Sequence, residues 1–180
     1  MKNLKNKTKY FLQFIFISFL LIVFKFFGLR ISRLISSKIF FFLGPLFRSN
    51  ITTKANIEKA FPNENEEFKK KILHEMWLMY GKILAEYSFI NIFREEESNR
   101  KIEIEGQIEL EKIKESNEPV IFISGHFDNF ELMAMHIEKS GVNLAAVYRP
   151  LNNYFLNPIM ENIRKKYICK KQIKKGISGT

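Results

Sequence analysis

The chain has 180 residues, one domain's worth of sequence, and carries 29 Lys and Arg against 19 Asp and Glu, a formal charge of +10. A single cysteine, Cys169, excludes an internal disulfide framework and fits a reducing compartment. A basic surface suits nucleic acid, anionic lipid or an acidic protein, and 19 Phe, 11 of them in the first 50 residues, favour lipid over nucleic acid.

Residues 10–27 are apolar except for Gln13, Ser18 and Lys25. As a helix they reach roughly 27 Å, close to the ~30 Å of a bilayer core. Residues 28–32 lack the small-residue cleavage site of a signal peptide. The run also lacks the polar stripe of a soluble helix. A membrane anchor is therefore expected. Lys2, Lys5, Lys7 and Lys9 precede it and Arg30, Arg33 and Lys38 follow, so flanking charge does not orient it. A second apolar run, residues 39–47, is too short to span and is interrupted by Gly44-Pro45. It either lies in the interface, with Arg48 and Lys54 near headgroups, or packs on the soluble part. The expected division is an anchor and interfacial segment over 1–48 and a second domain over 49–180.

Thr52 or Thr53 is expected to cap a short helix through Ala60, with a turn at Phe61-Pro62-Asn63. A long helix is predicted over 64–90, its acidic start suiting the helix dipole. Phe68, Ile72, Met76, Met79, Ile83 and Tyr87 form its apolar stripe, widened by Trp77, Tyr80 and Leu84, and His74 lies off it. Residues 94–101 read as a charged connection. Strands are predicted over 102–105, 120–124 and 143–148, and short helices from Ile108 toward a turn at 117–119 and over 129–140. Asn157-Pro158 reads as an N-cap and first helical residue of a helix to about Lys166. Strands alternating with helices predict an α/β fold with a βαβ sheet.

The apolar run 120–124 breaks at Gly125, His126 follows at once, and Glu131 stands five positions later at a helix start. A strand end that feeds a helix is where ligands bind in open α/β sheets. There His126 suits a general base and Glu131 a carboxylate that fixes its tautomer. A structural reading competes: Asp128 through Glu131 has capping-box spacing, with Asp128 as N-cap and Glu131 third in the helix. His136 reads as a packed core residue. No serine-hydrolase elbow, metal-binding Cys/His cluster or phosphate-binding Gly-rich loop is present in the sequence.

The His126–Glu131 element resembles the motif of the lauroyl/myristoyl-type lipid A biosynthesis acyltransferases, relatives of the glycerolipid acyltransferases. The resemblance extends to residues 56–62, Gly81-Lys82, Ala85-Glu86, Val147-Tyr148-Arg149-Pro150, Asn157-Pro158 and Arg164. It implies a transmembrane helix followed by a glycerolipid-acyltransferase-like βαβ domain over 49–180. It also implies transfer of a fatty acyl chain from acyl carrier protein to a hydroxyl of a lipid A precursor, with no metal or other cofactor. His126, Glu131 and Arg164 would be catalytic, and Arg149 and Asn129 substrate-binding. The implied location is a bacterial inner membrane, single-pass, with the catalytic domain on the cytoplasmic side. The family continues beyond the position of Thr180, so the chain resembles its N-terminal part, an incomplete domain expected to transfer little acyl chain alone and to be protease-sensitive after about residue 167. The alternatives are a glycerophospholipid acyltransferase and a non-catalytic, membrane-bound remnant.

Overall fold

A computed structural model describes residues 2–47, 50–95, 102–116 and 118–176. The chain divides into two compact units, Phe19–Phe89 and Met1–Ser18 with Ile90–Thr180. It is mostly helical, with one small sheet.

Helix α1, Lys2–Phe47, is one apolar rod broken in direction at Gly28, whose φ of 72° glycine alone adopts at little cost. The segment Asn6–Leu46 is long and apolar enough to cross a membrane, with mean hydropathy 2.3 and little of it buried. The helix continues through residues 29–38 and through Gly44-Pro45, which does not interrupt it. Arg48 lies outside the described residues.

In the unit Phe19–Phe89, α2 (Ile51–Ala60) and α3 (Glu66–Tyr87) accompany the later part of α1. Helix α2 begins at Ile51 after Asn50, rather than from a Thr cap, and Asn50 Oδ1 accepts the Trp77 Nε1–H at 3.2 Å. Asn65 caps α3 by accepting the Phe68 N–H at 2.8 Å. The buried face of α3 is Leu73, Trp77, Gly81 and Ala85; of the predicted stripe Trp77 is buried, Ile72 and Met76 pack at its edge and Phe68 is exposed, so the face is shifted toward small residues. The reason is backbone proximity. A Cβ on Gly81 would collide with the Ser36 carbonyl oxygen, and one on Gly44 with the Trp77 ring. Phe40 and Gly44 of the second apolar run thus lie against this face, Phe40 joining the cluster of Ile57, Leu73 and Trp77, while Phe42 and Leu46 stay exposed. Ser32 Oγ donates to the Phe24 carbonyl at 2.8 Å, spanning the bend at Gly28. Arg33 pairs with the buried Glu86 at 3.1 Å.

The second unit contains α4 (Ile90–Glu95), α5 (Gln107–Ser116), α6 (Glu131–Lys139), β1 (Ala145–Tyr148), α7 (Asn157–Ile163), a π-turn (Arg164–Ile168) and β2 (Lys171–Lys174). β1 and β2 pair in parallel, Ala145 opposite Lys171. The α7 and π-turn segment connects them, so a βαβ unit is present, built from one predicted strand and a second, β2, that was not predicted. Ile90, Met135, Ile168 and Cys169 form the core, with Phe93, Leu132 and Ile163 against it. Arg94 and Glu95 belong to α4, and Arg94 bonds the Glu138 carboxylate and, at 3.0 Å, the Tyr167 carbonyl. The remainder of the predicted charged connection, residues 96–101, and Asn117 of the predicted turn lie outside the described residues. Burial pushes the Cys169 thiol up, and its Sγ donates to the Leu144 carbonyl at 3.1 Å, which suits a packed thiol.

Two predicted strands are not strands. Residues 102–105 and 120–124 are irregular, and Ile121 and Ile123 are 86% and 90% exposed. A strand requires a hydrogen-bonding neighbour, and among the described residues the sheet consists of β1 and β2. Residues 171–174, expected in a tail unable to cap a core, instead form β2.

Candidate active site

The candidate residues converge on the start of α6 and the turn after α7. Helix α6 begins at Glu131, so Glu131 stands first in it rather than third, and Phe130 occupies the cap position. The capping box is therefore not formed. Asp128 instead adopts φ 43°, in the left-handed region that Asp tolerates better than most residues. This turn leaves Asn129 and Glu131 buried while His126 is exposed.

Glu131 meets Arg164. Arg164 Nε donates to the two carboxylate oxygens at 2.9 and 3.2 Å, and Nη2 donates to Oε1. The carboxylate is buried and the guanidinium nearly so, with 5% and 16% of the side chains exposed. Fork-to-carboxylate geometry fixes orientation as well as charge, which a lysine would not reproduce. Arg164 opens the π-turn, closed by the Cys169 N–H on the Arg164 carbonyl at 2.9 Å. Such single π-turns recur at functional sites.

The His126 ring packs edge-to-face on Phe130, centroids 4.1 Å apart. The ring is thus held by an aromatic neighbour, five residues before the fixed Glu131. Arg149 is exposed just beyond β1. The structure therefore brings Glu131 and Arg164 into contact and sets His126 on Phe130.

A second polar group, which sequence reading passed over, adjoins the pair. Tyr148 Oη donates to Glu161 Oε1 at 2.6 Å, Asn157 Nδ2 donates to the same oxygen at 2.7 Å, and Lys174 lies 3.3 Å from it. The Arg164 guanidinium lies 5.9 Å from the Tyr148 ring centroid. Burial and the bond to Glu161 push the Tyr148 phenol up to about 12. The bond from Tyr148 holds the Glu161 carboxyl below its ordinary value, with Asn157 and Lys174 assisting. The available signal was the spacing of Asn157 and Glu161, one helical turn apart. Asn157 does not cap α7 as predicted: its Oδ1 accepts the Leu151 N–H at 2.8 Å, and Leu156 holds the cap position.

The other face of α6 borders a cavity of about 420 Å³, lined by Ile104, Leu110, Phe122, Leu132, Met133 and His136 among others. His136 is half-buried there, 2.9 Å from Gln107 Oε1, and burial lowers its pKa. Among the described residues, no group of three or more His, Cys, Asp or Glu is gathered to hold a metal ion.

The sequence model of the bacterial lipid A biosynthesis acyltransferases matches residues 1–174, nearly the whole chain. The chain belongs to that family. A lipid A biosynthesis myristoyltransferase of Escherichia coli (strain K12) is 22% identical over 112 residues, 62% of this chain. The match spans 35% of that relative's length. No solved structure matches. For this lipid A acyltransferase family member, the resemblance read from His126, Glu131 and Arg164 is thus matched by the chain-long family relationship.

Proposed function

We propose that the chain serves in transfer of a fatty acyl group from an acyl carrier protein thioester to a hydroxyl of a lipid A precursor, at the cytoplasmic face of a bacterial inner membrane. Residues 1–48 anchor it there and 49–180 carry the transfer site. The observation that carries this reading is the buried contact of Glu131 with Arg164, two motif positions far apart in sequence that meet beside His126's loop. Membership of the family supports the reaction class.

In this reading the exposed His126 takes the proton of the acceptor hydroxyl as it attacks the thioester carbonyl. Glu131, pinned by Arg164, is the fixed negative charge that orients the His126 ring and favours the imidazolium. Arg164 keeps Glu131 in place, and its positive charge favours the developing oxyanion. The thiolate of the carrier departs. Arg149 and Asn129 contact the acceptor, and the apolar cavity beside α6 offers room for hydrocarbon. The basic surface suits both the acidic carrier protein and anionic lipid.

The test is acyl transfer from labelled acyl carrier protein thioester to lipid A precursor in membranes bearing the chain, with glycerol 3-phosphate as the competing acceptor. Transfer to the lipid A precursor that depends on His126 supports the reading. Preference for glycerol 3-phosphate favours the glycerophospholipid alternative. Little transfer from these 180 residues alone is expected of both the leading reading and a non-catalytic remnant, so the dependence on His126 is read in a full-length enzyme of the family that contains them.

A further inference from the structure

Two carboxylates stand within reach of Arg164, and they are used differently. Glu161 lies three positions before it, where α7 runs into the π-turn, a spacing at which a carboxylate and a guanidinium ordinarily pair. Yet the Arg164 fork goes to Glu131, 33 positions away. The Glu161 carboxylate is taken up elsewhere. Its Oε1 accepts the Tyr148 hydroxyl at 2.6 Å and the Asn157 amide at 2.7 Å, and Lys174 Nζ lies 3.3 Å from it.

Three elements supply those partners. Asn157 opens α7, one turn before Glu161. Tyr148 and Lys174 stand opposite one another in the parallel pairing of β1 and β2, and residues so paired project from the same face of a sheet. The Lys175 N–H donates to the Tyr148 carbonyl at 2.8 Å and fixes that register. β2 therefore delivers the cation that holds Glu161 beside the Tyr148 hydroxyl. Tyr148 is buried, and the Arg164 guanidinium lies over its ring, 5.9 Å from the centroid. A cation at that distance is attracted to the ring face. One side chain thus meets both charges, Glu161 through its hydroxyl and Arg164 through its ring.

We propose that Tyr148 is a positioning residue for Arg164. Its hydroxyl engages Glu161 and its ring backs the guanidinium, so that the fork is delivered to Glu131 rather than to the carboxylate nearer in sequence. Loss of the hydroxyl frees Glu161 to compete for Arg164 and weakens the hold on Glu131. The consequence for acyl transfer rests on the function proposed for Glu131 and Arg164; the division of the two carboxylates does not.

The experiment reads the Arg164 Nε–H resonance in the full chain, isotope-labelled at arginine and held in mild detergent. Arg164→Lys identifies the signal by its loss. Tyr148→Phe, which keeps the ring, should move the signal away from the parent position. Adding Glu161→Gln to Tyr148→Phe should bring it back, since the competing charge is gone. Simple packing by Tyr148 would give no such rescue. Lys174→Met, at a half-exposed side chain, should move the signal in the same direction by less, and it carries the test if Tyr148→Phe does not fold. An unmoved signal in the variant that folds, or no return in the double variant, would overturn the proposal. In a full-length enzyme of the family that contains residues 1–180, Tyr148→Phe should lower kcat by roughly 10–100-fold, as misplacing a reacting group does. KM for the acyl donor should stay close to the parent value, and the double variant should regain most of the loss. An unchanged kcat in Tyr148→Phe beside an active parent would overturn the positioning role. A parent enzyme that transfers nothing to a lipid A precursor would overturn the proposed function instead, and the arginine signal would still decide the positioning.

Discussion

Glu131 and Arg164 lie 33 positions apart in sequence and form a buried, two-point ion pair. It joins the first residue of α6 to the first residue of the π-turn. Removing one partner strands the other charge out of water, so Glu131→Gln and Arg164→Ala should each destabilise the unit by about 3–5 kcal/mol. Arg164→Lys keeps the charge but loses the fork and should recover part of that loss. Denaturant melts followed by near-ultraviolet circular dichroism in mild detergent check this. Full stability in Arg164→Ala would mean that the pair holds nothing together.

The close approach of α1 and α3 makes a second prediction. At Gly81 an added methyl runs into backbone, the Ser36 carbonyl, which cannot swing aside. Gly81→Ala should therefore destabilise the Phe19–Phe89 unit by about 1–3 kcal/mol, although alanine is the better helix former. Thermal melts compare it with Lys82→Ala, exposed on the same helix. Equal melting temperatures would contradict the packing described.

Much of this arrangement was legible and some was not, for identifiable reasons. The apolar content of α1 announced a helix long and apolar enough to cross a membrane, and periodicity found α3. Its buried face was misread because Gly81 and Ala85 bury by being small, and an apolar-residue stripe does not count them. Residues 120–124 have a strand's composition, but composition cannot supply the neighbouring backbone a strand needs. Conversely, Lys171–Lys174 has a single apolar residue, Ile173, so only the parallel partner β1 reveals it as a strand. At the site, local spacing singled out His126 and Glu131. The Glu131–Arg164 and Tyr148–Glu161 contacts are tertiary and left no periodic trace.

The Tyr148–Glu161 bond has a pH signature. A phenol raised from 10.0 to about 12 in the folded state stabilises the fold at neutral pH, and that contribution is lost as pH climbs through this window. Glu161 has the opposite sense. Its lowered pKa gives a contribution present above the ordinary carboxyl value of 4.5 and lost as pH falls through its lower folded value. Phenolate absorbance should show one late-ionising tyrosine, absent in Tyr148→Phe. Superimposable alkaline titrations of the two chains, apart from one ordinary tyrosine, would contradict the assignment.

The anchor reading predicts how the chain fractionates. A span held by about 30 Å of apolar helix resists carbonate and high salt, whereas a basic protein held by surface charge is released by salt. The chain should stay in the membrane pellet under both treatments. Replacing Leu21 and Ile22 with Asp should shift it to the soluble fraction, since each carboxylate at a span's centre costs roughly 2.5–3.5 kcal/mol. Release of the parent chain by salt alone would remove the anchor.

The central claim is that His126, Glu131 and Arg164 serve acyl transfer to a lipid A precursor. The most direct measurement is transfer from labelled acyl carrier protein thioester to that precursor, in membranes carrying a full-length enzyme of the family that contains residues 1–180, or its His126→Ala form at matched abundance. The account predicts a fall of at least ~100-fold in His126→Ala, the low end of what a general base contributes. Near-full transfer by His126→Ala would contradict it.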